Sequence, residues 1–215
     1  MVLQLYYITD RRQFPGDPQE QEQRLLAKIE ECAAAGVEYI QLREKDFETR
    51  ALEELALKAM RALGGSRTRL LINSRTDVAL ACGAHGVHLP ANDLAASEVR
   101  SIFARAGKSD PVIGVSTHAA SEVTFAEAHG ANFAVFGPVF EKSGSASHNG
   151  LDQLRQICHR RDAAQPPMPV WALGGITLGN AQQCAEAGAA GIAAIRLFQE
   201  GDVQAIVKQL RSLQA

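Results

Sequence analysis

No apolar run in this sequence approaches the roughly 18 residues that a membrane-crossing helix needs, so no spanning segment is expected. No charge of one sign dominates either. Twenty-two Lys and Arg side chains against 24 Asp and Glu leave a formal net charge of −2, with no basic tract or arm. A nucleic-acid partner is therefore not expected. The N-terminal stretch MVLQLYYITDRR lacks a basic region followed by a long apolar one, and it reads as a first strand rather than a secretion signal. Cysteine is sparse: Cys32, Cys82, Cys158 and Cys184 form no CxxC pair. Three of them lie in, or at the end of, Ala/Glu/Gln-rich helical pattern. Small buried thiols in a cytoplasmic protein are the expectation, ahead of disulfide or metal roles.

What remains is an ordinary globular composition, 46% apolar and 21% charged, able to bury a sizeable core. The length suits one continuous domain over residues 1–215. Apolar runs of strand type alternate with helical patterns throughout. The strands expected are Gln4–Thr9, Tyr39–Arg43, Arg69–Asn73, Gly86–Leu89, Val112–Thr117, Phe133–Phe140, Val170–Gly174 and Gly191–Leu197. Helical patterns such as Gln21–Ala35 lie between them. Eight strands alternating with eight helices imply parallel pairing, because parallel neighbours need crossover connections. A weak repeat narrows the choice. AAGVEYIQL, ACGAHGVHL, AHGANFAVF and EAGAAGIAAI each end a helix on a small residue and a glycine, then enter a strand. Gly36, Gly83 and Gly130 are spaced at 47 residues, and Gly188 follows after 58. Four periods of two βα units point to a closed (β/α)8 TIM barrel rather than an open sheet.

Such barrels gather their chemistry at the C-terminal ends of the strands. Strand two ends in QLREKD, where Gln41, Arg43 and Lys45 alternate and share one face. If that face points inward, an amide and two cations enter the barrel mouth and require an anion. Glu44 and Asp46 offer a surface ion-pair network instead. Strand three ends at Asn73, able to donate and accept at the rim, with Asp77 in the first turn of the next helix near its dipole or an Arg partner. Strand four ends in HLPAND. There His88 is a candidate for the interior, and Asp93 either caps the next helix or binds a cation. Strand five ends at Ser116–His118. His118 either begins a helix or serves as an acid/base, since its proton is mobile near neutral pH. After strand seven, Gly174–Gly175 lets backbone N–H groups approach a ligand closely, and Arg196 sits where strand eight ends. That pairing points to a phosphorylated ligand. The stretch EKSGSASHNG after Phe140 reads as a long loop on the same face.

Seven stretches, YYITD, YIQLREKD, INSRTDVALACGAHGVHL, IGVSTHAASEV, FAVFGPVF, WALGGIT and AGAAGIAAI, occur in an order that resembles the thiamine phosphate synthase/TenI-like superfamily over nearly the whole chain. The resemblance implies the barrel already read and a thiazole phosphate of thiamine biosynthesis as ligand. One branch of the superfamily, the synthases, joins a pyrimidine pyrophosphate to a thiazole phosphate and releases pyrophosphate. Its pattern has Asn-Asp at the end of strand three, a second metal-binding Asp at the position of Asp93, and a Thr-x-Thr-Lys loop after strand six. Here Asn73 is followed by Ser74, Pro90-Ala91 replaces Gly-Gln, and the loop keeps Lys142 and serines without that order. One carboxylate fewer implies weaker Mg²⁺ binding at the point where a departing pyrophosphate develops charge.

The other branch includes thiazole tautomerases, which aromatise a thiazole carboxylate phosphate by moving a proton, with no metal. NSRTDVAL and HLP resemble that branch. The expectation is therefore a cofactor-free isomerase in which His118 shuttles the proton. Gln41, Arg43, Lys45 and Asn73 would bind the substrate, with Arg43 and Lys45 on its carboxylate, and Gly174, Gly175, Ile195 and Arg196 would bind the phosphate. The alternatives are an Mg²⁺-dependent synthase using Asp93, and a non-catalytic binder of thiazole or thiamine phosphate. The partner expected is a small molecule, with a homo-oligomer left open.

Overall fold

The structure, a computed structural model, describes residues 2–140, 150–159 and 167–213. Its elements run β1 (Gln4–Ile8), a 3₁₀ turn (Arg11–Gln13), α1 (Pro18–Ala34), β2 (Tyr39–Leu42), α2 (Thr49–Leu63), β3 (Arg69–Asn73), α3 (Thr76–Cys82), β4 (Gly86–Leu89), α4 (Ala96–Arg105) and β5 (Val112–Thr117). They continue with α5 (Ala120–Ala128), β6 (Phe133–Phe136), α6 (Gly150–Cys158), β7 (Val170–Leu173), α7 (Ala181–Glu186), β8 (Gly191–Ala194), α8 (Arg196–Glu200) and α9 (Val203–Ser212). All neighbouring strands pair in parallel, and β8 closes on β1, so the sheet is the expected barrel.

Local sequence explains the helix ends. Asp17 accepts from the backbone of Gln19 and Glu20 while Glu20 reaches back to the Asp17 amide, and Pro18 takes the first helical position of α1. The repeat glycines Gly36, Gly83, Gly130 and Gly188 all adopt positive φ where helices end. Among the described residues no helix is long and apolar enough to cross a membrane. All four cysteines are free. Three are buried, and burial pushes the thiols of Cys32 and Cys184 up to about 12, which makes them poor nucleophiles.

Five strands are shorter than expected, β1 and β7 by one residue each and the other three for identifiable reasons. β6 stops at Phe136 because Gly137 and Pro138 follow and proline has no N–H to donate. Val139 and Phe140 still donate to the carbonyls of Leu173 and Gly174. β8 stops at Ala194 because Ile195 turns out of the extended region, so Arg196 begins α8 and does not end a strand. β2 stops at Leu42, which takes Lys45 off the strand altogether. The eighth strand is followed by two helices, α8 and α9, where one was expected.

The strands are buried on both faces, which is why they read as continuous apolar runs. Leu5, Tyr7, Ile40, Leu70, Ile72, Val87, Ile113 and Ile192 pack outward against the helices. The alternate residues Tyr6, Ile8, Leu71, Phe133, Val135, Trp171 and Ala193 fill the barrel. The Phe133 and Trp171 rings stack with centroids 3.6 Å apart, and Tyr6 meets Trp171 edge-on at 5.5 Å. Such bulk fits only because neighbouring inward positions are glycine. A Cβ on Gly114 would lie 2.4 Å from the Phe133 ring, and one on Gly191 would lie 2.8 Å from Trp171.

Two glycines separate conformational from steric cost. Gly83 needs only a left-handed backbone, with nothing near its would-be Cβ, whereas a Cβ on Gly86 would fall 1.8 Å from the Val112 carbonyl oxygen. In urea unfolding, Gly83→Ala is expected to cost ~1 kcal/mol. Gly86→Ala should cost about 3 kcal/mol or more, because β4 and β5 must separate. Equal losses in the two variants would contradict this packing.

Candidate active site

The C-terminal mouth of the barrel begins with the loops after β1 and β2. Glu44 is buried there and accepts from the Thr9 hydroxyl at 2.7 Å, from the Arg11 amide at 3.2 Å, and from the Arg11 guanidinium at 3.0 Å. Arg11 also forks onto Asp46 with two bonds of 2.7 Å and lies 3.9 Å over the Phe47 ring. Burial pushes the Glu44 carboxyl up, and the bonds from Thr9 and Arg11 oppose that shift. The Arg11 bonds hold Asp46 below the usual carboxylate range. The two acids flanking Lys45 are thus matched by Arg11, a residue that sequence reasoning passed over. Its position in a polar loop carries no pattern that marks a buried cation.

Gln41 and Arg43 keep the shared inward parity. Gln41 is buried and donates through Nε2 to Asn73 Oδ1 at 2.9 Å, which leaves the Asn73 NH₂ as a donor. The Arg43 amide is held by the Thr9 hydroxyl at 2.9 Å, and its guanidinium charge acts on buried His88. Lys45 is exposed and does not share the strand face as expected. It lines a cavity of about 370 Å³ with Asn73, Ser74 and Pro90.

Ser74 follows Asn73 in the left-handed region, at φ 61°, a conformation uncommon outside glycine. Its hydroxyl donates to Asp93 Oδ2. Asp93 Oδ1 accepts from the Leu94 amide at 2.8 Å, so Asp93 does not cap α4; Ala95 is the cap residue. Asp77 lies in the first turn of α3 and pairs with Arg75 at 2.6 Å. Asp93 and Ser116 line one cavity of about 230 Å³.

His88 lies within the barrel wall, 2% exposed, with Nδ1 3.2 Å from the Tyr6 hydroxyl and Nε2 2.8 Å from Ser116 Oγ. Burial pushes its pKa down to about 3, with the Arg43 charge adding to the shift, so the ring is neutral. His118 sits just past β5, before α5, and is exposed. Its amide donates to Glu122 at 2.6 Å, and its Nδ1 donates to the Gly137 carbonyl at 2.6 Å. That bond places a proton on Nδ1.

Gly174 and Gly175, at φ 100° and 61°, turn the chain after β7. With Ile195, Arg196 and Gln13 they line a cavity of about 400 Å³ at the ends of β7 and β8. Asn180 donates to the Gly175 carbonyl at 3.0 Å and accepts from the Thr177 amide at 2.8 Å, which fixes this turn. Gln13 was not foreseen, because only the ring closure of β1 onto β8 brings it there. Lys142 and the serines of EKSGSASHNG lie outside the described residues, apart from Gly150 at the start of α6.

Comparison with known proteins tests the branch. A family model described as thiamine monophosphate synthase matches residues 5–198. A Geobacter sulfurreducens protein provisionally named a thiamine-phosphate synthase is 41% identical over 194 residues, covering 89% of this chain and 84% of that one. The thiamine-phosphate synthase of Caldanaerobacter subterraneus is 34% identical over 209 residues, 96% of this chain and 91% of its own. Among solved structures, the thiamine phosphate pyrophosphorylase of Pyrococcus furiosus superposes with a TM-score of 0.78 at 30% identity, covering 98% of this chain and 95% of that one. These relatives are named as transferases. They overturn the expectation of an isomerase, and with it the role of His118 as a tautomerase proton shuttle. The chain belongs to the thiamine monophosphate synthase family.

Proposed function

We propose that this chain is a thiamine-phosphate synthase, a transferase that joins a pyrimidine pyrophosphate to a thiazole phosphate and releases pyrophosphate. Similarity to synthase-named relatives along nearly the whole chain supports the activity. The observation that carries it at the site is the Ser74–Asp93 pair. The missing carboxylate after Asn73 argued against Mg²⁺ when read from the sequence. In the fold a hydroxyl oxygen occupies that place, in contact with the remaining carboxylate.

The donor set suits Mg²⁺ at the low end of its usual protein ligation. That ion typically takes one or two carboxylates and completes its shell with substrate phosphates and water. Asp93 would supply the carboxylate and Ser74 a neutral oxygen. Among the described residues no cluster of three or more His, Cys, Asp or Glu could hold a metal ion, so the substrate's own oxygens would have to complete the shell. When bound, Mg²⁺ would neutralise charge on the departing pyrophosphate.

The protein's own groups divide the remaining work. Arg43, on the inward face, offers a cation to the pyrophosphate, and Lys45 offers a second from the rim. Gln41 and Asn73 present an ordered amide pair to the pyrimidine end. The backbone of Gly174, Gly175, Ile195 and Arg196 frames the cavity for the thiazole phosphate, with Gln13 opposite. His118 stands just past β5 with its Nδ1 tied to the Gly137 carbonyl. We place this reaction in the cytosol, where four free thiols persist.

Purified protein given pyrimidine pyrophosphate and thiazole phosphate is expected to form thiamine phosphate only with Mg²⁺, and Asp93→Ala should lower kcat/KM on the order of 100-fold. Coupling that is unchanged in chelator would refute the metal assignment. A second outcome concerns Ser74. Restoring a carboxylate by Ser74→Asp should lower the Mg²⁺ concentration giving half-maximal rate, and Ser74→Ala should raise it; aspartate also tolerates the left-handed backbone. A Mg²⁺ titration of the initial rate reads both. Arg43→Gln should raise KM for the pyrimidine pyrophosphate by about 10-fold or more and leave KM for the thiazole phosphate unchanged.

A further inference from the structure

Inside the barrel a line of three side chains runs from the sealed aromatic core to the mouth. Tyr6 OH lies 3.2 Å from His88 Nδ1, and His88 Nε2 lies 2.8 Å from Ser116 Oγ. Tyr6 is fully buried and His88 is 2% exposed. Neither takes part in the reaction as derived above. We propose that Tyr6 and His88 are positioning residues that lock the imidazole as its Nε2–H tautomer, so that Ser116 accepts from His88 and keeps its own proton for the bound substrate.

The direction of the line follows from counting protons. Tyr6 is walled by the rings of Tyr39, Phe133 and Trp171, and among the described residues its hydroxyl bonds only to His88. If Ser116 gave its proton to Nε2, Nδ1 would carry the ring proton and would have to donate to the Tyr6 oxygen. The phenolic proton would then be buried without an acceptor, which is disfavoured. In the opposite arrangement Tyr6 donates to Nδ1, Nε2–H donates to Ser116 Oγ, and every buried group is satisfied. The phenol keeps its proton because burial holds its pKa well above the ordinary value, and the neutral imidazole fits the same requirement.

Ser116 is then the open end. Among the described residues its hydroxyl has no bond except the one it accepts from His88. Its proton is directed to whatever fills the cavity that it shares with Asp93. A serine facing the other tautomer would give its proton to the imidazole. With one lone pair engaged by Nε2–H, Ser116 Oγ is anchored in place and its O–H remains available to an acceptor on the ligand, where it can stabilise charge that develops there.

The kinetic side of this inference rests on the synthase reading; the tautomer does not. The first test is the ¹⁵N spectrum of histidine-labelled full-length protein, with His88 identified by its loss in His88→Gln. A pyridine-type δ1 and a pyrrole-type ε2 nitrogen, unchanged across neutral pH, are expected. The same pattern should persist in Ser116→Ala, since Tyr6 sets it. A pyrrole-type δ1 nitrogen, or a ring that titrates near neutrality, would overturn the proposal. In the coupling assay Ser116→Ala should lower kcat on the order of 100-fold. Ser116→Thr should restore most of it. Tyr6→Phe, which leaves Ser116 in place, should lower kcat about 10-fold with KM for the thiazole phosphate unchanged. Wild-type kcat in Tyr6→Phe would also overturn it. If the wild-type protein shows the expected tautomer but couples nothing, the synthase reading fails and the tautomer assignment stands.

Discussion

A closed ring of eight strands encloses a space that side chains must fill, and here stacked aromatic rings fill it. Trp171 lies nearly flat on Phe133, and Tyr6 and Tyr39 close around the pair. This plug depends on glycine at Gly114 and Gly191, where the chain must pass against a ring face. It also leaves the indole Nε1 of Trp171 buried without a partner among the described residues, a cost of ~1–3 kcal/mol. Apolar burial of so large a ring contributes more than that loss, so the plug persists. Its chemical consequence is that the barrel interior is closed below the level of His88. Water and ligand meet the protein only at the mouth, where Gln41, Asn73 and Ser116 stand on the next tier of inward positions.

Charge at that mouth is arranged by one residue. Without Arg11, Glu44 would be a buried carboxylate with no cation against it. Arg11 binds both acids at once, and its stacking on Phe47 supports the planar fork. Thr9 completes the corner by donating to Glu44 and accepting from the Arg43 amide, so the loop after β1 fixes the residue that follows β2. The net effect is a cation on the inward face and two acids held together behind it by one guanidinium. That polarity suits a substrate carrying pyrophosphate.

The parts of this molecule written in periodic pattern were legible from the sequence. Strand alternation and the glycine at each helix end depend on neighbours within a few residues, and they located all eight strands. Strand ends were less legible. Pro138 removes a donor and Ile195 leaves the extended region, and neither breaks an apolar run. The inward parity of Gln41 and Arg43 was readable, but Lys45 was assigned to the same face because nothing in QLREKD marks where β2 stops. Arg11, Gln13 and Tyr6 were invisible for another reason. Each acquires its place through contacts far along the chain, Arg11 with Glu44, Gln13 with the β7 and β8 ends, Tyr6 with His88. Pairings of that kind exist only once the barrel closes.

Ser74 shows how a residue-by-residue comparison can mislead. Read as a letter, serine in place of aspartate is a lost metal ligand, and that loss pointed toward a metal-free isomerase. Read in the fold, the left-handed backbone at Ser74 carries its hydroxyl to Asp93, so an oxygen remains where the chemistry needs one and only its charge is gone. A cation bound by one protein carboxylate depends more on the substrate's own oxygens for neutralisation. Affinity for metal and affinity for pyrophosphate then become coupled, since each supplies charge that the other requires. Under the proposed synthase reading, a site with two carboxylates could hold its ion before substrate arrives, whereas one with a single carboxylate would favour joint arrival. On that reading the substitution would alter the order of assembly at the mouth and not the reaction class.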